Sequence, residues 1–277
     1  MEKAELERQV AAAVDAARRE VPLVGSVTNA VSVNFVANAQ LAAGGSAAMV
    51  YLPDEAEFLA QAGGALYLNL GTLLPVHEET MPRGARAMCE LGKPWVLDPV
   101  GIGIGSLRTG ILKELKACKP AIVRANASEV IALAGLWELD GGDARAQVRG
   151  VDSTDEVGAA EGAAVALARW TGGAVAVSGA ADLVTDGAVV ATSRGGSPLM
   201  EKVTGFGCSL GGVAAVYAAV ASPFVAALAA TAAYNLAGAR AFARVQAPGS
   251  FQAAFLDELS EASATDVAGN PFNIREV

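Results

Sequence analysis

Histidine is almost absent from this sequence: His77 stands alone among 277 residues. One imidazole nearly excludes both a His-rich metal site and Ser-His-Asp hydrolysis. Lying between Pro75 and Glu78 at a helix start, His77 reads as a solvated surface residue. Cysteine is scarce as well. Cys89, Cys118 and Cys208 are scattered, odd in number and form no C-x-x-C pair, so neither a disulfide framework nor a zinc site is expected. No G-x-x-x-x-G-K-[ST] loop occurs, which removes P-loop chemistry. Positive charge is in deficit, with a formal net charge of −9. Such a chain lacks the basic surface that nucleic acids and anionic membranes attract, so neither is an expected partner. An anionic substrate would need a local site of backbone N–H groups and one or two cations. The apolar stretch Phe224–Leu236 is too short to span a bilayer and runs into Arg240 and Arg244. Met1–Glu20 reads as a charged amphipathic helix and not as a secretory leader, so the expected location is the cytoplasm. Aromatics make up only 5%, so the core must be packed from Ala, Val and Leu.

What is present is a rhythm. Apolar runs of strand length fall at Ala48–Leu52, Ala65–Asn69, Trp95–Asp98, Ala121–Arg124, Ala174–Ser178, Leu183–Thr185 and Val189–Thr192. Most are solidly apolar, as in a sheet covered on both faces. Helical patterns lie between them, at Asn29–Ala43, Asp54–Ala62, Pro75–Leu91, Leu107–Ala117, Ala127–Ala134 and Glu156–Trp170. The alternation predicts an α/β fold with a mostly parallel sheet flanked by helices, in one domain spanning 1–277. Asp182–Thr192 reads as a hairpin turning at Asp186-Gly187. Beyond Thr204 the chain reads as helical, at Cys208–Val220, Pro223–Val245 and Ser250–Ala262. Gly141–Asp152 reads as a surface insertion, and Thr265–Val277 carries no clear element.

Ligands of an open parallel sheet bind at the carboxyl ends of its strands. Polar or Gly-rich segments cluster at such ends: Asn69–Thr72, Asp98–Gly101, Arg124–Glu129 and Ser178-Gly179. The strongest feature is Thr204-Gly205-Phe206-Gly207-Cys208 before an Ala/Val-rich helix. Backbone N–H groups at a helix start bind anions, and glycines admit a phosphate closely. Taken alone, the turn could equally be a helix start with glycines for packing. Cys208 in the first helical turn could carry a lowered pKa and accept a proton from a hydroxyl, or be an inert thiol. Asp98, followed by Pro99, is either a turn residue or a carboxylate near phosphate-bound Mg2+. Asn126 and Glu129 have capping-box spacing, and Glu129 could also hold metal-bound water. Arg124 supplies a cation for a triphosphate, or is a surface arginine.

In order and spacing, these segments resemble the hydroxyethylthiazole kinase family of the ribokinase-like superfamily. The resemblance begins at Pro22-Leu23-Val24 and is carried by Thr28-Asn29-Ala30-Val31, Asn34–Asn38, Leu41–Ser46 and Met49. It continues through Leu68–Thr72, Trp95–Gly101, Arg124–Glu129, Ser178-Gly179 and Thr204–Leu210. It implies ATP-dependent phosphorylation of 4-methyl-5-(2-hydroxyethyl)thiazole with Mg2+, by a homotrimer with thiazole sites between subunits. It implies that Asn29, Met49 and Gly71 border the thiazole, with Gly205 near its hydroxyethyl arm. Arg124, Asn126, Ser178 and Thr204 would contact ATP, and Asp98 and Glu129 would serve Mg2+. Gly205, Gly207 and Cys208 would form the catalytic turn, with Cys208 where related sugar kinases place a basic Asp. The sequence departs from the family at Gly25, usually His, at Ala47-Ala48, usually Pro-x, and at Ala125, usually Gly. The first two departures are expected at the thiazole pocket. Two other readings stay open: a related kinase for another small alcohol or pyrimidine, and a non-catalytic thiazole- or nucleotide-binding protein.

Overall fold

A computed structural model describes residues 2–143 and 157–277. In order, the elements are α1 (Lys3–Glu20), β1 (Leu23–Val27), α2 (Val33–Ala42), β2 (Ser46–Met49), α3 (Pro53–Ala62), β3 (Ala65–Asn69) and α4 (His77–Glu90). Then come β4 (Trp95–Asp98), α5 (Ser106–Leu115), β5 (Ile122–Asn126), α6 (Ala127–Leu136), α7 (Glu161–Thr171), β6 (Ala174–Ser178), β7 (Asp182–Thr185) and β8 (Val189–Ser193). The chain closes with α8 (Phe206–Ala218), α9 (Pro223–Arg244), α10 (Pro248–Glu261), α11 (Ala264–Ala268) and β9 (Phe272–Glu276).

One nine-stranded sheet runs in the order β2-β1-β3-β4-β5-β6-β7-β8-β9. Strands β1 to β6 pair in parallel, and β6 to β9 pair antiparallel. The pleat sends alternate residues to opposite faces. Leu66 and Leu68 of β3 pack in the cluster that includes Met81, Leu112 and Leu133 of α4 to α6. Tyr67 packs in the other cluster, beneath Val213 and Leu228 of α8 and α9. That second layer is built from small residues. Gly211 has no side chain because a Cβ there would lie 2.6 Å from the Tyr67 ring. Close approach of α8 to the sheet brings its first turn to the carboxyl edge.

Several expectations shift. The predicted strand Ala48–Leu52 is displaced to Ser46–Met49, because the chain leaves the sheet for α3, with Pro53 at its start. The predicted helix at Asn29 starts at Val33, because the Asn29 carboxamide first caps a turn, accepting the Val31 and Ser32 N–H groups at 3.1 Å each. Strand β1 escaped prediction because Gly25 and Ser26 interrupt its apolar run. Strand β9 escaped because only Phe272 and Ile274 of its five residues face the core. The predicted hairpin is present as β7 and β8, with Gly187 at φ 89° in its turn. Beyond Asp143, the predicted insertion lies outside the described residues until Val157, as does the predicted start of α7 at Glu156. Gly25, the departure expected at the thiazole pocket, lies in β1. It pairs in register with Leu66, and a Cβ there would meet Leu59 and Leu66, on the sheet face opposite Tyr67.

His77 is not a surface residue either. It is 1% exposed, and its Nδ1 accepts the Leu74 N–H at 3.0 Å. The ring stacks on Tyr51 with centroids 5.8 Å apart. Because Nδ1 accepts, the neutral ring carries its proton on Nε2. Burial lowers the His77 pKa below the ordinary imidazole value. The unfolded chain therefore takes up a proton before the folded one does. Stability should fall as pH drops below about 6.5, by at most about 1.4 kcal/mol per pH unit, and level off once the folded ring is also protonated. In His77→Gln this component should vanish. Denaturant midpoints at pH 7.5 and 5.5 would measure it, and equal pH losses in both proteins would contradict it.

Candidate active site

Parallel register aligns the carboxyl ends of the central strands. Asn69 pairs with Asp98, and Asn126 with Ser178. The convergence expected of these segments is thus built into the ladder.

Asp98 is fully buried and is the hub. Its Oδ2 accepts the Tyr67 hydroxyl at 2.8 Å and the Asn69 Nδ2 at 3.1 Å. The Arg124 Nη1 lies 3.5 Å from the same oxygen. Its Oδ1 is buried with no partner among the described residues. Burial raises the Asp98 pKa, against the pull of Arg124, Tyr67 and Asn69. The Tyr67 hydroxyl also lies 2.7 Å from the Cys208 carbonyl, so it can donate to either oxygen and bridges β4 to α8.

The glycine turn begins α8. Gly205 is its N-cap with φ 95°, a left-handed conformation that glycine adopts at little cost. The N–H groups of the first helical turn have no intrahelical acceptors. Arg124 lies across this turn, and a Cβ on Gly207 would be 2.5 Å from its Nη1. Arg124 is 8% exposed and donates to the Ser178 hydroxyl from Nη2 at 2.8 Å. An arginine head and a row of helix-start N–H groups therefore share one spot, which suits an anion such as a phosphoryl group.

Cys208 belongs to a second group of contacts. Asn29 Nδ2 donates to Asn69 Oδ1 at 2.8 Å and lies 3.6 Å from the Cys208 sulfur. Asn69 Oδ1 also accepts the Gly71 N–H, and a Cβ on Gly71 would strike the Asn29 carboxamide. Asn29, Asn69, Gly71 and Cys208 thus form one contact group. Of the two readings left open for Cys208, a lowered pKa is not supported. Burial, with the Asp98 charge second, pushes the Cys208 thiol up.

Glu129 is 2% exposed and forms the expected capping box with Asn126. Its Oε2 accepts the Asn126 N–H at 3.0 Å, and its Oε1 accepts the Gly101 N–H at 3.1 Å. Burial, then the charge on Asp98, pushes it up to about 7. The box therefore also fastens the glycine-rich loop after β4. No group of three metal-binding side chains occurs among the described residues. Even so, the unpartnered Asp98 Oδ1 and the second lone pairs of the Glu129 oxygens are hard oxygen donors. They fit Mg2+, which keeps several waters and takes the rest of its shell from phosphate.

Two expected residues lie farther out. Met49 ends the edge strand β2, half-buried against the α8 layer and two strands from Asn69. Thr204 is exposed just ahead of the turn. The sequence reading missed Tyr67, hidden inside the apolar run Ala65–Asn69. Its signal was the two-residue spacing from Asn69, which puts both on one face. Arg108 was missed too. From the start of α5 its Nε donates to the Leu70 carbonyl at 3.0 Å, joining the loops after β3 and β4.

The pattern that defines the hydroxyethylthiazole kinase family matches residues 14–265. A protein named hydroxyethylthiazole kinase from Bifidobacterium longum strain DJO10A is 51% identical, over 94% of this chain and 88% of that one. Another of that name, from Cereibacter sphaeroides strain ATCC 17029, is 46% identical, over 90% of this chain and 92% of that one. The solved hydroxyethylthiazole kinase structure from Pyrococcus horikoshii OT3 superposes with a TM-score of 0.84 at 30% identity, covering 98% and 99% of the two chains. The ADP complex of Staphylococcus aureus pyridoxal kinase superposes at 0.60 with 16% identity, over 92% of this chain and 98% of that one, a likeness of the ribokinase-like fold. On matched length and on identity, the chain belongs to the hydroxyethylthiazole kinase family.

Proposed function

We propose that this protein transfers the γ-phosphoryl group of ATP to the hydroxyl of 4-methyl-5-(2-hydroxyethyl)thiazole, in the synthesis or salvage of thiamine. The observation that carries the chemistry is Arg124 packed on Gly207 at the start of α8, with Asp98 beside it. The whole chain acts as one ribokinase-like domain in the cytoplasm.

Phosphoryl transfer is mostly positioning and charge neutralisation. The Gly205–Cys208 N–H groups hold the moving phosphoryl, and the glycines keep side chains out of its way. Arg124 and Ser178, with Asn126 and Thr204 at the rim, bind the nucleotide. Asp98 and Glu129 would hold Mg2+ through oxygen donors and water, and the ion would neutralise polyphosphate charge. Asn29, Met49 and Gly71 border the thiazole, and Gly205 lies by its hydroxyethyl arm. Cys208 orients the alcohol. With its pKa raised, the thiol keeps its own proton at neutral pH, so it does not act as a ready base.

A homotrimer with thiazole sites between subunits fits the apolar side chains flanking edge strand β2. Val31, Leu41, Leu52 and Phe58, on the chain segments that precede and follow β2, are all exposed. Covering such a group is a common reason for association.

In an assay coupled to ADP release, the thiazole alcohol should support turnover that requires Mg2+. Turnover of another small alcohol or a pyrimidine, with none of the thiazole alcohol, would overturn the substrate. Binding of both ligands without ADP release would overturn the activity. Removal of a general base costs about a hundredfold or more in rate. Cys208→Ala should retain kcat to within about tenfold, in keeping with an orienting thiol. A larger loss, with thermal midpoint unchanged, would restore Cys208 as the base.

A further inference from the structure

We infer that Asp182 is a positioning residue for the nucleotide, acting with Asn235 to lock the β6–β7 turn onto α9. The inference rests on the reading of Ser178 and Arg124 as ATP contacts.

Asp182 opens β7, at the end of the turn that follows Ser178. Its Oδ1 accepts the Gly179 N–H at 3.1 Å. Its Oδ2 accepts the Asn235 Nδ2 from α9 at 2.9 Å. Gly179 directly follows Ser178, whose hydroxyl accepts both Arg124 Nη2 and Nε. A continuous chain of contacts therefore runs from Asn235 through Asp182, Gly179 and Ser178 to the arginine on the α8 turn.

Asn235 is buried, and its Nδ2 and its backbone carbonyl are both engaged. Its Nδ2 also donates to the Ser193 hydroxyl at 3.2 Å, and so does Asn270 Nδ2. The Ser193 hydroxyl in turn donates to the Pro271 carbonyl at 3.0 Å. The Asn235 carbonyl accepts the Gly196 N–H at 2.9 Å. Gly196, with φ 73°, packs so closely on α9 that a Cβ on Gly238 would lie 2.9 Å from its Cα. Gly196 belongs to the loop that leads from β8 to the Gly205–Cys208 turn. Asn235 thus touches both chain segments that deliver the nucleotide groups: the turn carrying Ser178 and the loop feeding the α8 turn. None of these contacts involves Asn29, Gly71 or Cys208, so losing them should weaken ATP and spare the alcohol.

The polarity of the contact can be exchanged. Asn235→Asp sets two carboxylates against each other, and Asp182→Asn in that background restores one amide and one carboxylate. Asn235→Asp and Asp182→Ala should each raise KM for ATP about tenfold, with kcat and the KM for alcohol held within about twofold. The exchanged pair should return KM for ATP to within about threefold of the parent, since coupling between touching residues is what such a cycle isolates. A merely structural contact would lower the thermal midpoint and leave KM for ATP unchanged in the folded fraction, which would overturn the inference. So would an exchanged pair no better than Asn235→Asp. If the single variants do not fold, the exchanged pair still reads the contact: near-parent KM for ATP supports it and a raised value overturns it. Ser178→Ala, measured in parallel, separates the two levels. An unchanged KM for ATP there overturns the assignment of Ser178 to the nucleotide. A raised value there, with Asp182→Ala unchanged, overturns only the role of Asp182.

Discussion

A buried carboxylate in contact with a buried guanidinium sets the terms for this molecule. Asp98 is removed from water at the end of a central strand, and Arg124 is almost as deeply removed on the next. Each would be costly alone. Together, at 3.5 Å, they hold a positive head on the α8 turn in a protein of net charge −9. The acidic surface makes that local cation necessary, because no general field gathers phosphate. The remaining bonds to Asp98 serve geometry. Tyr67 ties the carboxylate to α8, and Asn69 ties it through Asn29 to the Cys208 sulfur. One residue therefore connects Arg124, the start of α8 and the Asn29–Cys208 group.

Small residues make this arrangement possible. Gly211 admits the Tyr67 ring under α8, Gly207 admits Arg124 over its start, and Gly205 supplies the left-handed cap. Glycine works here as absence of bulk at Gly207 and Gly211, and as conformational freedom at Gly205. The G-x-G-x-x-x-G spacing in the sequence thus has two separate causes. The first two glycines belong to the anion site, and the third belongs to the packing that holds the helix against the sheet.

Much of the fold was legible because β3, β4 and β6 are solid apolar runs, and a sheet covered on both faces produces such runs. Strand β1 was not, since Gly25 and Ser26 trade hydrophobicity for close packing. Strand β9 was not, since an edge strand buries only one face. The site was legible where a polar residue ended an apolar run, as at Asn69, Asp98 and Ser178. It was illegible where a polar group lay inside one, as with Tyr67. Charge balance was also hidden. A sequence shows that Cys208 starts a helix, but not that burial and the Asp98 charge push its thiol up. His77 went the same way: the helix start was visible, but not the Tyr51 ring that covers the imidazole or the Leu74 N–H that needs an acceptor.

The most direct test of this account is the steady-state rate of Asp98→Asn beside its thermal midpoint. Asparagine keeps the shape and can still accept from Tyr67, but it removes the charge that balances Arg124. The account predicts a folded protein whose kcat/KM for ATP falls by about a hundredfold or more. A folded Asp98→Asn protein with near-parent kcat/KM would contradict it.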